Sequence, residues 1–304
     1  MVSLARTLAG KLCIVHLPNL KISFDYVLIL EWLDEGDRRT GEELDQFLQG
    51  LGVPTRLVRC RSAGDVRATL EEALQNIPTR GIPLVHIESH GSNPPEDVRD
   101  AAFGTSAAPG LPWTEFGDWL APLNAASGFR LLLVGATCFG FAAIAAMKIG
   151  EHVAPFAATV GFTTSVWDGS LHDAMKEFYR SICQRHERLA DAVAAAQREL
   201  RDPNERVRVT SSPMLAVRIL RGVYDNIRPG LPLTEDASEI VEKLRNSGFP
   251  VSAEVSDGIP AKLQEQGRAR IQGAWDSWFP PGAQCQDTYR LDWAWIEHVD
   301  LDQG

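Results

Sequence analysis

Apolar residues in this chain fall into short continuous runs separated by amphipathic stretches, the pattern of strands buried on both faces alternating with covering helices. Phe24 to Trp32 reads as a first buried strand, and Asp37 to Gly41 as a loop. A helix over Glu42–Leu51 carries Leu44, Phe47, Leu48 and Leu51 on one face, and Gly52 closes it as a left-handed residue. Val53–Cys60 is a second strand. Ser62 caps a helix through Val66, Leu70 and Leu74 that stops before Pro78. Ile82–Ser89 is a third strand, and the Ser-, Asn-, Pro-, Gly- and Ala-rich residues 92–111 are a long loop.

A helix over Trp113–Leu123, a strand over 130–137, a helix over 141–150 and a strand over Ala157–Phe162 follow. Leu171–Arg185 is a helix with Met175, Phe178, Tyr179 and Ile182 inward, and His186–Leu200 an Ala-rich helix. Met214–Leu220 is expected to be the sixth strand. Alternating units of this kind predict an α/β domain: a mainly parallel sheet of about six strands with helices on both faces. That domain spans residues 24–224, after an N-terminal segment of residues 1–23. The acidic residues 225–304 hold four of the eight tryptophans (Trp275, Trp278, Trp293 and Trp295) and read as a largely helical C-terminal region.

The chain has 304 residues, 44% of them hydrophobic, enough for a substantial core. A formal charge of −10 argues against nucleic acid as a partner, because a binding face needs clustered Lys and Arg. Leu131–Met147 is the longest mostly apolar run. It is short for a membrane span and rich in Gly and Ala, so a strand, a turn and a small-residue helix explain it better, and no membrane partner is expected. Five scattered cysteines (Cys13, Cys60, Cys138, Cys183 and Cys285), with no secretory leader evident, point to reduced thiols and a cytoplasmic location. No CxxC pair suggests zinc.

Two strands end on reactive groups: Ser89-His90-Gly91 and Thr137-Cys138-Phe139-Gly140. Neighbouring parallel strands deliver such residues together at their carboxyl ends. Cys138 is the candidate nucleophile, placed where a following helix would stabilise a thiolate, and His90 the candidate base. The peptide N–H groups of Gly91 and Cys138 are candidates for an oxyanion hole. His86, Glu88 and His90 share one strand face, which raises a His-x-Glu-x-His metal site as a rival, although His86 suits a hydrogen-bonded core histidine better.

The order of these elements resembles the caspase fold. Arg39-Thr40-Gly41-Glu42-Glu43-Leu44-Asp45, with Leu51-Gly52 beyond, resembles the Arg-x-Gly-x-x-x-Asp stretch of animal caspases. Ser89-His90-Gly91 is similar to their Ser-His-Gly, and Thr137-Cys138-Phe139-Gly140 to their Ala-Cys-x-Gly except at the first position. The separation of His90 and Cys138, about 50 residues, is also that of caspases. Val166-Trp167-Asp168, before a helix with Phe178-Tyr179, is closer to the CHAT and separase branch of that superfamily. The resemblance implies cysteine endopeptidase activity through a Cys-His dyad on protein or peptide substrates, with no cofactor. It also raises an activating partner protein, as for bacterial relatives in defence systems.

For specificity the resemblance points to Arg39, Ala136, Trp167 and Asp168. Arg39 favours an acidic P1 residue and Asp168 a basic one, Ala136 is neutral where caspases carry Gln, and an Arg39–Asp168 pair would make both structural. The Trp167-Asp168 match tips the expectation to a basic P1. A catalytically silent scaffold of the same fold, with the Trp-rich tail as a docking element, stays open as the alternative.

Overall fold

The computed structural model describes residues 13–17, 20–92, 101–106, 110–147, 153–225, 259–280, 289 and 291. They divide into two compact units. The first runs to Leu215 and takes in Trp278, Phe279 and Tyr289, and the second spans Ala216–Ser277.

The first unit is α/β, built on a mixed, mostly parallel sheet with helices against it. Its strands are β3 (Tyr26–Trp32), β4 (Thr55–Arg59), β5 (Pro83–Gly91), β8 (Leu132–Ala136), β9 (Ala158–Phe162) and β10 (Val207–Ser211). Across the sheet the order is β10-β9-β8-β5-β3-β4. All neighbouring pairs are parallel except β9 with β10. Every residue of β3, β8 and β9 is buried, which explains their unbroken apolar sequence. A hairpin of β1 (Cys13–Leu17) and β2 (Leu20–Phe24) precedes this sheet, in residues expected to lie largely outside the domain. Two short strands, β6 (Ala102–Gly104) and β7 (Leu111–Pro112), extend β5 at its carboxyl end inside the expected loop.

The covering helices are α1 (Thr40–Gly50), α2 (Ala63–Gln75), α3 (Ile77–Arg80), α4 (Trp113–Ala126), α5 (Asp168–Tyr179) and α6 (Leu189–Glu199). Several local signals act as read. The Ser62 side chain accepts from Asp65 N at the start of α2, and Gly52 takes φ +73° after α1. Met175, Phe178, Tyr179 and Ile182 are buried. The expected helix over Leu171–Arg185 instead starts at Asp168 and loosens into a π turn over Arg180–Gln184, and His186 at φ +55° separates it from α6.

The sixth strand is misplaced in the sequence reading. Met214–Leu220 lies in α7 (Ser212–Asp225), and the strand is the preceding Val207–Ser211. A short apolar run does not reveal its period. The start signal is Ser211-Ser212-Pro213, where Met214 N donates to Ser211 Oγ at 3.3 Å.

A helix over Ile259–Trp278, all but its last residue in the second unit, buries Trp275. Trp293, Trp295 and Cys285 lie outside the described residues. No helix among the described residues is long and apolar enough to cross a membrane.

Candidate active site

The order β4-β3-β5 reverses direction at β3, so the crevice at the carboxyl ends of β3 and β5 is where an open α/β sheet binds its ligand. His90 and Cys138 both reach this edge. The ladder between β5 and β8 ends with Glu88 opposite Ala136; His90 and Cys138 each follow two residues later, in step on adjacent strands. Gly91 brings the two backbones together: a Cβ at that position would fall 1.7 Å from Cys138 O and 2.4 Å from Thr137 Oγ1. Its lack of a side chain lets β5 lie directly against the Cys138 peptide.

Cys138 stands on a tight turn. Phe139 takes the left-handed conformation (φ 55°, ψ 22°), which costs about 1–2 kcal/mol in a residue with a Cβ. Phe139 N donates to Thr164 O at 3.1 Å and Gly140 N to Thr137 O at 3.0 Å. The bend is therefore made at Phe139 and not at Gly140. Gly140 is needed for packing, since a Cβ there would sit 2.2 Å from Gly135 O. The helix expected behind Cys138 is a seven-residue 3-10 turn, Gly140–Ala146, rather than an α-helix with a full dipole. The donor at the thiol is instead Val166 N, 3.4 Å from Sγ.

His90 has a partner that the sequence did not disclose. Its Nε2 lies 2.8 Å from Asp37 Oδ2 and 3.7 Å from Asp34 Oδ2, both in the loop after β3. A carboxylate can only accept, so Nε2 carries a proton toward Asp37, and in the neutral ring Nδ1 is the acceptor. Asp34 also accepts from Ser106 N at 2.9 Å and Ser106 Oγ at 2.5 Å. Those bonds hold its carboxyl below the usual carboxylate range. The ligand atoms of Asp34, Asp37 and His90 lie within 4.8 Å of one another, a set able to hold a metal ion. His86 and Glu88, the other members of the His-x-Glu-x-His candidate, are buried and bonded to each other at 2.9 Å instead of converging with His90.

The four specificity candidates separate in space. Val166, whose backbone contacts the thiol, leads into Trp167 and Asp168. These begin one wall of a cleft of about 690 Å³, running over Trp167–Ser170 and faced by Arg201–Asn204. Trp167 is 75% exposed at the cleft, and Ser170 offers a buried hydroxyl with no bonding partner. Asp168 and Asp202 bring two carboxylates, while Arg201 is turned onto Asp173 at 3.2 Å. Buried Glu205, also undetected in the sequence, accepts from Trp167 N at 3.0 Å and Asp202 N at 3.4 Å and so joins the two walls.

Arg39 and Ala136 do not line this cleft. The Arg39 guanidinium lies 3.9 Å from Glu31 Oε2 and donates to Glu35 O, and the alternative of an Arg39–Asp168 pair is not realised. Ala136 is 1% exposed inside β8.

No known family model matches this chain, and no curated protein shows detectable sequence similarity to it.

Proposed function

We propose that the chain is a cysteine endopeptidase of caspase-like type, nearest the CHAT branch, that cleaves protein or peptide substrates after a basic residue. The observation that carries this reading is a thiol and a carboxylate-paired imidazole, each two residues beyond the last paired positions of adjacent parallel strands. Cys138 Sγ attacks the scissile carbonyl, and His90 Nδ1 takes the thiol proton and later gives it to the leaving amine. The Gly91 and Cys138 N–H groups are the candidates to receive the developing oxyanion. Water then hydrolyses the thioester, with His90 as base. Asp37 keeps the imidazole in the productive tautomer, as the third member of such triads does. The cleft beside Val166 suits a Lys or Arg side chain, with Asp168 and Asp202 for its charge and Trp167 against its stem. Activation by a partner protein belongs to this reading.

A library of peptides varied at P1 tests it directly. Wild type should cleave after Arg or Lys, and folded Cys138→Ala should not. The cluster of Asp34, Asp37 and His90 favours one second reading, a metal-dependent hydrolase; activity lost to EDTA and restored by zinc would select it. Absence of cleavage, with a candidate activator present, would leave a binding or scaffold protein.

A further inference from the structure

Two buried carboxylates meet under this site. Glu31 on β3 stands opposite Glu88 on β5 in the parallel register, and both are nearly inaccessible to solvent. Both reach the first turn of α1, whose N-cap position, Arg39, supplies no side-chain cap. Glu31 Oε1 accepts from Gly41 N at 3.1 Å and Glu42 N at 3.3 Å, with Arg59 Nε 3.4 Å from Oε2. Glu88 Oε2 accepts from Thr40 Oγ1 at 2.8 Å. Glu31 thus caps the helix in place of a residue of its own, and Glu88 holds the Thr40 hydroxyl.

The bond to Glu88 continues as a buried chain. Burial pushes the Tyr179 phenol well above its ordinary range, so it remains a donor. A carboxylate only accepts, so His86 Nε2 donates to Glu88 Oε1 at 2.9 Å, and in the neutral ring Nδ1 accepts from the Tyr179 hydroxyl at 2.8 Å. Glu88 therefore receives a hydrogen bond from each side, and the chain Tyr179–His86–Glu88–Thr40 joins α5, β5 and α1. His172 of α5 also faces Glu88 electrostatically.

Two tie-lines consequently connect the same pair of segments. One is buried, Thr40 to Glu88. The other is half-exposed, Asp37 to His90, three residues earlier on the first segment and two later on the second. Among the described residues the Asp37 side chain makes no other bond to β5; it also accepts from Asp34 N at 2.8 Å. Arg38 and Arg39, between Asp37 and Thr40, are engaged with Glu43 and Glu31.

We propose that Thr40 and Glu88 are positioning residues for the proton-transfer pair, the buried bond holding the loop so that Asp37 stays on His90 Nε2. An exposed imidazole–carboxylate bond competes with water, whereas a buried bond to a carboxylate persists because its loss strands an unsatisfied charge. The kinetic readout of this role rests on the peptidase reading; the tautomer readout does not.

The experiment uses Thr40→Val, nearly isosteric without the hydroxyl, with Thr40→Ser as the conservative rescue. In a Cys138→Ala background, 15N NMR of neutral His90 should show the Nε2–H tautomer in wild-type sequence and in Thr40→Ser, and a mixture of tautomers in Thr40→Val. With Cys138 present, Thr40→Val should lower kcat about tenfold with KM little changed, since Asp37 and His90 act in the chemical step. Asp37→Asn combined with Thr40→Val should fall no further than Asp37→Asn alone, because the two act through one contact. Should Thr40→Val not fold, Thr40→Ala, with room for a water at the vacated hydroxyl, supplies the same readouts. A folded Thr40 variant with wild-type tautomer and kcat, or additive losses in the double variant, would overturn the proposal. If no peptide is cleaved by any form, the function reading fails and the tautomer measurement alone decides this one.

Discussion

Asp37 Oδ2 stands 2.8 Å from His90 Nε2 although 53 residues separate them in the chain. Because the carboxylate accepts, Nδ1 is the acceptor of the neutral imidazole, and it is the atom the proposed mechanism uses. Asp37→Asn keeps the shape but can turn an N–H toward Nε2, which reverses the tautomer. Turnover of a P1-Arg peptide should fall about a hundredfold, less than for a fully buried triad acid because His90 is half-exposed. Steady-state kinetics of the folded variant check this, and unchanged kcat would remove Asp37 from the mechanism.

The closeness of Gly91 to Cys138 predicts a steric penalty independent of any activity. In Gly91→Ala the new methyl would lie 1.7 Å from Cys138 O, so a strand must move. Overpacking of this kind should cost about 3 kcal/mol in chemical denaturation. Gly36→Ala, with nothing within 4 Å of its added Cβ, is the control and should be near neutral.

For specificity, Asp168→Ala should lower kcat/KM for P1-Arg peptides about ten- to a hundredfold, the loss of one charge-assisted hydrogen bond in a partly desolvated cleft. Arg39→Ala should leave the P1 preference unaltered, since Arg39 serves Glu31. A wild-type preference for P1 Asp that disappears in Arg39→Ala would reverse this assignment.

His172 links stability to pH. Burial pushes its imidazole below the ordinary value, and Lys176 adds to that, against the opposing carboxylates of Glu43 and Glu88. A base whose folded pKa is depressed takes up protons more readily when unfolded. Stability is therefore full above the unfolded value near 6.5 and declines as pH falls below it. Neither ring nitrogen makes a well-aligned hydrogen bond, although Nε2 lies 3.0 Å from Glu43 Oε2. His172→Phe should thus be no less stable at pH 7.5 and should lose less stability on titration to pH 5, as followed by thermal unfolding. A wild-type acid slope in the variant would remove His172 as its source.

The strands were legible where burial on both faces made their sequence continuous, as in Tyr26–Trp32 and Leu132–Ala136. The edge strand Val207–Ser211 was not: it alternates polar with apolar residues beside a stronger apolar run that belongs to a helix. His90 and Cys138 stood out because a reactive side chain at a strand end, with glycine one or two residues on, is a local pattern. Asp37 and Glu205 carry no such mark. Each is an ordinary acidic residue in a loop, and its role depends on a partner 53 residues away for Asp37 and 38 for Glu205. Thr40 and Gly41 were visible as part of Arg-x-Gly, but their use became readable only with Glu31 and Glu88 opposite each other. The place of Arg39 beside Glu31 was not legible, because charge alone does not tell a pocket wall from a counter-ion.

The central claim is that Cys138 is the nucleophile, and covalent labelling followed by peptide mapping tests it most directly. Cys60 is buried and its thiol is pushed up to about 12, so it stays protonated, and Cys183 is buried as well. Cys138 is partly exposed. A peptidyl electrophile with P1 Arg should modify Cys138 much faster than Cys60 or Cys183, and His90→Ala should slow that reaction by at least tenfold while the protein stays folded. Equal modification of these thiols, or a rate at Cys138 that ignores His90, would contradict the account.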